Sequence, residues 1–428
     1  MTQPPLRIAV VGAGVAGISS AWLLSKSHQV TLFEKDSRIG GHTHTILVPD
    51  GPDAGTPVDT GFIVCNDKTY PNFHQFLREL QVPWRWSDMS FGFWDMTNGL
   101  MYAGTNLNGL FAQRSNLANP RFLRMLLEIR RFSVQALRDL RTGDADGLTL
   151  GAYLKAHGFS GFFTQSYVLP MGAAIWSTSA KQMLHFPART FIDFFRNHGL
   201  LSIKDRPKWQ TVVGGSHEYL KAFRRKFSGT IRSGVTIDSI HRGTEIVTLR
   251  MSDGEVHQFD RLVMAVHADQ VLPLLADSTP EERAIFGAWT YEKNRVVLHT
   301  DARVLPPNRR AWASWNYVRE PRRQGDEPAL SMTYHMNNLQ GLRTRQQYCV
   351  TLNRRGPIPD KHVIREIDYT HPRFTRRAVA TQQDLPRLNG RHLTYYAGSY
   401  HGYGFHEDAV KSAVEVARHF GISWAKAR

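Results

Sequence analysis

The hydrophobic pattern opens with a short β-branched run, Arg7 to Val11 (RIAVV), then Gly12-Ala13-Gly14-Val15-Ala16-Gly17 and an apolar helical stretch through Trp22, Leu23 and Leu24. Strand, glycine turn and helix are predicted in that order. A second strand, Gln29 to Glu34 (QVTLFE), ends on an acid. Tyr70 to Leu80 reads as a helix with Pro71 in its first turn. From Asn119 to Leu140, Phe122, Leu123, Leu126, Leu127, Ile129, Val134 and Leu137 recur at helical spacing among arginines 121, 124, 130, 131, 138 and 141. That spacing predicts an amphipathic basic helix. Residues 149–198 read as short helices, one capped by Thr149 and one, rich in Phe, from Pro187 to His198.

In the second half, the Gly-Gly turn within TVVGGSHEYLKAF predicts a helix start. An alternating stretch from Glu245 to Met251, the turn Asp253-Gly254 and the apolar run Arg261 to Val266 (RLVMAV) look like a hairpin extending a sheet. Runs at Val296 to Thr300, Ala311 to Tyr317, Leu330 to Met336 and Tyr348 to Leu352 predict a mostly antiparallel sheet. Leu393 to Ala397 (LTYYA) is a last strand, followed by Gly398, Gly402, Gly404 and a helix from about Glu407 to Phe420.

The 428 residues carry 53 Lys+Arg against 37 Asp+Glu, a net charge of +16, most of it beyond residue 200. The excess falls in short clusters: Arg224-Arg225-Lys226, Arg309-Arg310, Arg322-Arg323, Arg354-Arg355 and Arg376-Arg377. A solvated basic face and attraction to an anionic membrane surface both fit such clusters. No nucleic-acid partner is expected, because no zinc finger, RRM or basic-zipper pattern occurs and aromatics do not interleave with the basic runs. Cys65 and Cys349 stand far apart with no CxxC, so neither a disulfide framework nor a zinc ribbon is expected. With no long apolar window, the reading is a soluble cytoplasmic protein, membrane-associated if the basic face meets lipid.

The glycine turn carries the chemistry. Gly12 permits the tight turn, Gly14 lets backbone approach a pyrophosphate, and Gly17 allows the helix to sit close to the sheet. The helix N-terminus then favours phosphate charge, and Glu34 is placed to accept ribose hydroxyls. Strand, GxGxxG, helix, strand and acid together predict a dinucleotide site.

Several further motifs accompany this fingerprint: Arg38-Ile39-Gly40-Gly41, Val58-Asp59-Thr60-Gly61, Val235, RLVMAV and the closing AGSYHGYGFHEDAVKSA. Together they resemble FAD-dependent amine oxidases and phytoene desaturases. GGHTHT, VDTGFIVCN, WQTVVGG and GYGFHE are similar to a bacterial group of FAD-binding oxidoreductases within that superfamily, one associated with cyclopropane-type fatty-acid modification. The resemblance implies an α/β fold: a Rossmann-type FAD-binding domain built from 1–85, 205–275 and 388–428, interleaved with an α+β substrate domain from 86–204 and 276–387. It implies non-covalent FAD, held by Gly12, Gly14, Ala16 and Gly17, by Glu34, Lys35 and Arg38, by Gly40, Gly41, His42 and Thr43, by Val235, and by Gly398, Ser399, Gly404 and Phe405. The Gly402 to Asp408 segment is expected to bring a helix N-terminus to the flavin N1–C2=O edge, where its partial charge favours the reduced ring.

The sequence also departs from the family pattern. His42 stands where many members have Arg, and Ser399 where many have Asp. The amine-oxidase lysine has no secure match: Lys293 lies just ahead of the expected strand, so no catalytic side chain is assigned. His42 and His44 have no close acidic or cysteine companion, and no metal is expected. Trp84, Trp86, Phe91, Phe93 and Trp94, with Trp312, Trp315 and Tyr317, are explained by core packing or by an apolar tunnel.

The expected activity is hydride transfer from a substrate C–H to flavin N5, on an apolar or lipid acyl molecule. Three alternatives stand beside it: an amine oxidase releasing hydrogen peroxide, a redox-neutral double-bond isomerase, and a flavin-binding partner protein without catalysis. The sequence leaves oligomeric state open.

Overall fold

The computed structural model describes residues 4–176, 179–202, 206–321 and 330–424. The Arg322-Arg323 cluster lies outside them. Five parallel strands form one sheet, in the spatial order Thr230–Ser233, Gln29–Glu34, Arg7–Val11, Arg261–Met264 and Thr394–Tyr396. Stretches far apart in sequence thus share a single sheet. Alternation along Arg7–Val11 divides the core. Ile8 and Val10 belong to the cluster with Ile18, Phe76, Tyr219 and Val410, whereas Ala9 and Val11 belong to the one with Ile240, Leu249 and Phe259. Both faces are covered, which is why these strands read as unbroken apolar runs.

The helices Val15–Leu24 and His406–Arg418 pack against each other. The 245–259 region does not extend the parallel sheet. Ile237–Arg242, Val247–Met251 and Val256–Phe259 instead form a separate three-stranded antiparallel sheet. The chain then re-enters the parallel sheet at Arg261, opposite Ile8.

A seven-stranded sheet forms the second layer, in the order Val363–Pro372, Tyr291–His299, Cys349–Leu352, Leu330–His335, Trp315–Arg319, Phe91–Asp95 and Met101–Ala103. All its pairings are antiparallel except Trp315–Arg319 with Phe91–Asp95. The expected strand from Ala311 begins instead at Trp315. Asn308 caps a helical turn at Arg309–Ala311, and Asn316 Oδ1 accepts from Ala313 N, so the chain turns before it extends. Lys293 lies inside its strand, exposed, while the neighbouring Asn294 points inward. The edge strand Val363–Pro372 carries no sequence expectation, since Arg365, Glu366 and Asp368 interrupt its apolar pattern.

Helices cap the second layer. Pro120–Thr142 begins at Asn119, whose side chain accepts from Arg121 N and Phe122 N, and ends at Gly143 in the left-handed region. Ala188–Asn197 packs against it and carries Phe191, Ile192, Phe194 and Phe195 inward. No described helix is long and apolar enough to cross a membrane.

Candidate active site

The glycine turn is shaped by what surrounds it. Gly12 has φ +98°, and a Cβ there would lie 2.7 Å from Ala265 O; one on Gly17 would lie 1.8 Å from Gly12 O. Gly14 differs, because a Cβ there would meet nothing within 4 Å. The turn and helix therefore need Gly12 and Gly17 for their own packing, while Gly14 keeps open the space in front of the Val15–Leu24 N-terminus. That terminus has no side-chain cap, so its first amides are available to an anion. Glu34 accepts from Ala13 N at 2.8 Å and Asp36 N at 3.1 Å, which fixes its carboxylate beside the turn.

The Gly40-Gly41 turn closes over this cradle. Gly40 N donates to Ala13 O, and both glycines have positive φ. Arg38 holds the turn by donating to Thr43 O and Gly41 O, each at 2.8 Å. Thr43 is fully buried, and its hydroxyl meets Tyr219 OH and His406 Nε2. The amino-terminal turn is thereby joined to the first residue of the closing helix. At that helix, Asp408 accepts from Tyr403 N and Phe405 N, and burial pushes its carboxyl up to about 7. Gly402 must be glycine, because a Cβ would fall 2.1 Å from Asp408 Oδ1.

These elements enclose one cavity of about 1110 Å³. Its wall includes Gly12, Gly14, Ala16, Glu34, Lys35, Arg38, Gly40, Gly41, His42, Val235, Gly398, Ser399, Gly404 and Phe405. Gly17 and Thr43 stand behind the wall, one packing the helix and the other tying the turn. The glycine cradle, the open space at Gly14 and the uncapped helix suit an elongated dinucleotide.

The sequence reading placed His42 here but missed its two histidine neighbours. His42 lies 5.8 Å from His267 and 5.1 Å from His371, ring centre to ring centre, and stacks on Tyr369. Burial lowers His42 to about 4, and both His267 and His371 to about 3, so all three are neutral at pH 7. His42 Nε2 is buried with no partner among the described residues. His267 follows directly after a central parallel strand, where open α/β sheets place ligands, and that position is the signal that could have found it. His371 and Tyr369 come from the unforeseen edge strand.

Met89, Phe91, Met171, Ile175, Trp176, Phe194, Trp209, Trp315 and Phe374 are among the apolar side chains of the wall. Of the aromatic residues considered as tunnel lining, Phe91 and Trp315 reach the cavity. Phe93 and Tyr317 stack on each other in the core, and Trp86 is exposed. Arg206, an exposed side chain, joins Lys35 and Arg38 as a cation on the wall. Four acids also line the wall: Glu34, Asp36, Asp269 and Asp368.

Residues 15–419 match the family of flavin containing amine oxidoreductases. The L-amino-acid oxidase of Pseudechis australis is 51% identical over 79 residues, which are 18% of this chain and 14% of that enzyme. The mouse (Mus musculus) L-amino-acid oxidase is 26% identical over 267 residues, 59% of this chain and 39% of its own length. The chain thus spans well under two thirds of these curated relatives. Among solved structures, a CLA-producing fatty acid isomerase from P. acnes aligns with TM-score 0.66 at 16% identity, covering 98% of this chain and 100% of its own. Cyclohexylamine oxidase from Brevibacterium oxydans aligns with TM-score 0.67 at 13% identity over 98% and 100%. The chain belongs to the flavin containing amine oxidoreductase family.

Proposed function

We propose that the substrate is an elongated apolar carboxylate of the fatty-acid type, from which a C–H hydride is taken. One observation carries this reading: beside the residues proposed to hold the cofactor, the cavity wall carries the apolar side chains Met89, Phe91, Met171, Ile175, Trp176, Phe194, Trp209, Trp315 and Phe374, with the exposed Arg206 among the lining residues. An acyl chain fits those apolar side chains, and its carboxylate matches the Arg206 guanidinium. FAD, when bound, supplies the hydride acceptor at N5.

The residues of the chain position the substrate and keep water out. Phe91, Trp176, Phe194 and Trp315 exclude water from the reacting carbon and fix the chain laterally, so that a C–H can be held at the roughly 3–3.5 Å that hydride transfer requires. Lys293 is exposed, so it plays no part in this positioning. The proposed cofactor contacts are those drawn from the sequence, with Gly17 and Thr43 acting through packing. His42, where the family commonly has Arg, approaches the cofactor as a neutral ring.

The test is anaerobic mixing of the yellow protein with long-chain unsaturated fatty acids, polyamines or L-amino acids, followed near 450 nm. Bleaching by fatty acids alone supports the reading; bleaching by amines or amino acids with peroxide release in air overturns it. A second reading has its own support, since the isomerase among the structural neighbours acts on a fatty acid. Conversion of a fatty acid to a product of unchanged mass without oxygen uptake would assign redox-neutral isomerisation within the same substrate class.

A further inference from the structure

We propose that the solvent face of the Pro120–Thr142 helix docks this protein on an anionic lipid bilayer. The inference concerns where the enzyme works and does not depend on the substrate reading. The inward stripe of the helix, Phe122, Met125, Phe132 and Ala136, is fully buried. The outward stripe is not the polar surface expected of a helix packed by one face: Leu123 is 39% exposed, Leu127 71% and Val134 66%. Single exposed aliphatics are ordinary, but a row of them at helical spacing is a surface for contact. The preceding turn, Arg114–Ala118, packs on the helix and adds exposed Leu117.

The exposed charges on the helix itself are all of one sign, and the exposed acids Asp144 and Asp146 lie just past its C-terminal end. Arg121, Arg124, Arg130, Arg131, Arg138 and Arg141 are exposed. The helix's acids are turned away: Glu128 is buried and accepts from Ser160 N and Oγ, and Asp139 is buried against Tyr153 OH and Gln135. Arg124 reaches back to Glu128, and Arg131 lies over Phe159. Arg121, Arg130, Arg138 and Arg141 make no ion pair among the described residues.

Aliphatic side chains flanked by arginines, with no exposed carboxylate on the helix itself, are the composition of an interfacial helix. The arginine stems lie along the apolar surface while their heads meet lipid phosphates. A polyanion such as RNA would use the arginines but gains nothing from Leu127 or Val134. The geometry also links this face to the cavity: the helix packs on Ala188–Asn197, whose Phe194 lines the wall.

The experiment is co-sedimentation of the FAD-loaded full chain with sucrose-filled vesicles of phosphatidylcholine alone or mixed with phosphatidylglycerol. Binding at least tenfold stronger to the anionic vesicles, falling in high salt, is expected. Arg130→Gln/Arg138→Gln weakens it roughly tenfold or more, since each basic residue near the surface contributes on the order of fivefold. Leu127→Gln/Val134→Gln weakens it at least fivefold, with flavin absorbance and melting temperature unchanged because these side chains are exposed. Equal binding to neutral vesicles overturns the proposal. Anionic binding that survives Leu127→Gln/Val134→Gln does so too, and retention on RNA with the same insensitivity would identify a general polyanion surface instead.

Discussion

The imidazole of His406 lies flat on the ring of Phe62, 3.6 Å between centres and 12° from parallel. Its Nε2 stands 3.0 Å from Thr43 Oγ1. One ring thus joins the closing helix to the VDTGF segment and to the Gly40-Gly41 turn, so the two ends of the cofactor cavity are held by a single contact set. Burial lowers the His406 pKa far below the usual imidazole range, and the ring is neutral at physiological pH.

Removing that ring loosens both ends together. His406→Ala is expected to destabilise the protein by about 3 kcal/mol, in the range of large-to-small core replacements. It should also lower bound flavin, read from the ratio of 450 to 280 nm absorbance. A variant that melts early but keeps full flavin would show the contact to be packing alone.

Gly14 separates folding from cofactor binding. Its φ is −70°, and nothing lies within 4 Å of where a methyl group would sit, so Gly14→Ala keeps its far-UV circular dichroism and an apo melting temperature within a few degrees of the parent. FAD affinity falls at least tenfold, because the methyl occupies the space in front of the helix N-terminus. Gly12→Ala, with its clash at Ala265 O and its positive φ, fails at the level of folding.

In the proposed reading, Arg206 binds the substrate's carboxylate. Arg206→Gln raises KM for a free fatty acid roughly tenfold or more, the weight of a hydrogen bond to a charged group, and leaves the methyl ester unaffected. Steady-state kinetics on the acid and ester decide this.

Acid stability follows from the neutral histidines. His42, His198, His267, His299 and His371 are lowered by burial to between about 3 and 4. Depressed groups contribute stability that is present above the unfolded histidine pKa and lost as pH falls through the folded values. Asp59, raised by burial to about 6, and Asp408, at about 7, act oppositely: their contribution is full below the unfolded carboxylate pKa and lost as pH rises through 6 to 7. The histidines outnumber the two acids, so melting temperature is highest near pH 6–7 and declines between pH 6 and 4. Thermal melts across that range measure it, and His371→Gln reduces the slope.

A buried ion pair anchors the three-stranded sheet. Arg242 donates to Glu282 and Asp277, and Tyr396 OH donates to Glu282 at 2.5 Å. Burial alone would raise the Glu282 pKa, but the Arg242 and Tyr396 bonds hold it down to about 2. Its stabilisation is therefore present above about pH 4.5 and lost as pH falls toward 2. Arg242→Met strands a buried carboxylate and is expected to destabilise by about 3–5 kcal/mol. Arg242→Met/Glu282→Met recovers most of that loss, as urea denaturation would show.

The nucleotide cradle was legible in the sequence because its constraints are local. Gly12, Gly17, Gly40 and Gly41 meet neighbours or φ values that admit no side chain, and adjacent strands and helices advertise themselves by their periodicity. The basic helix was legible for the same reason, whereas its cap at Asn119 came from the structure. Which of its faces lay bare, and that Glu128 and Asp139 turned inward, depended on partners such as Ser160 and Tyr153 that periodicity does not specify.

The amino-terminal glycine fingerprint by itself predicted a dinucleotide site, and the family resemblance of the closing motif implied that the other end of the chain reaches it. Only the tertiary structure decided what faces that site. The polar edge strand with Tyr369 and His371, the arrival of Arg206 at the cavity and the meeting of His42 with His267 come from segments distant in sequence. Their proximity is fixed by sheet pairing and burial, and local side-chain patterns carry no record of distance across the fold.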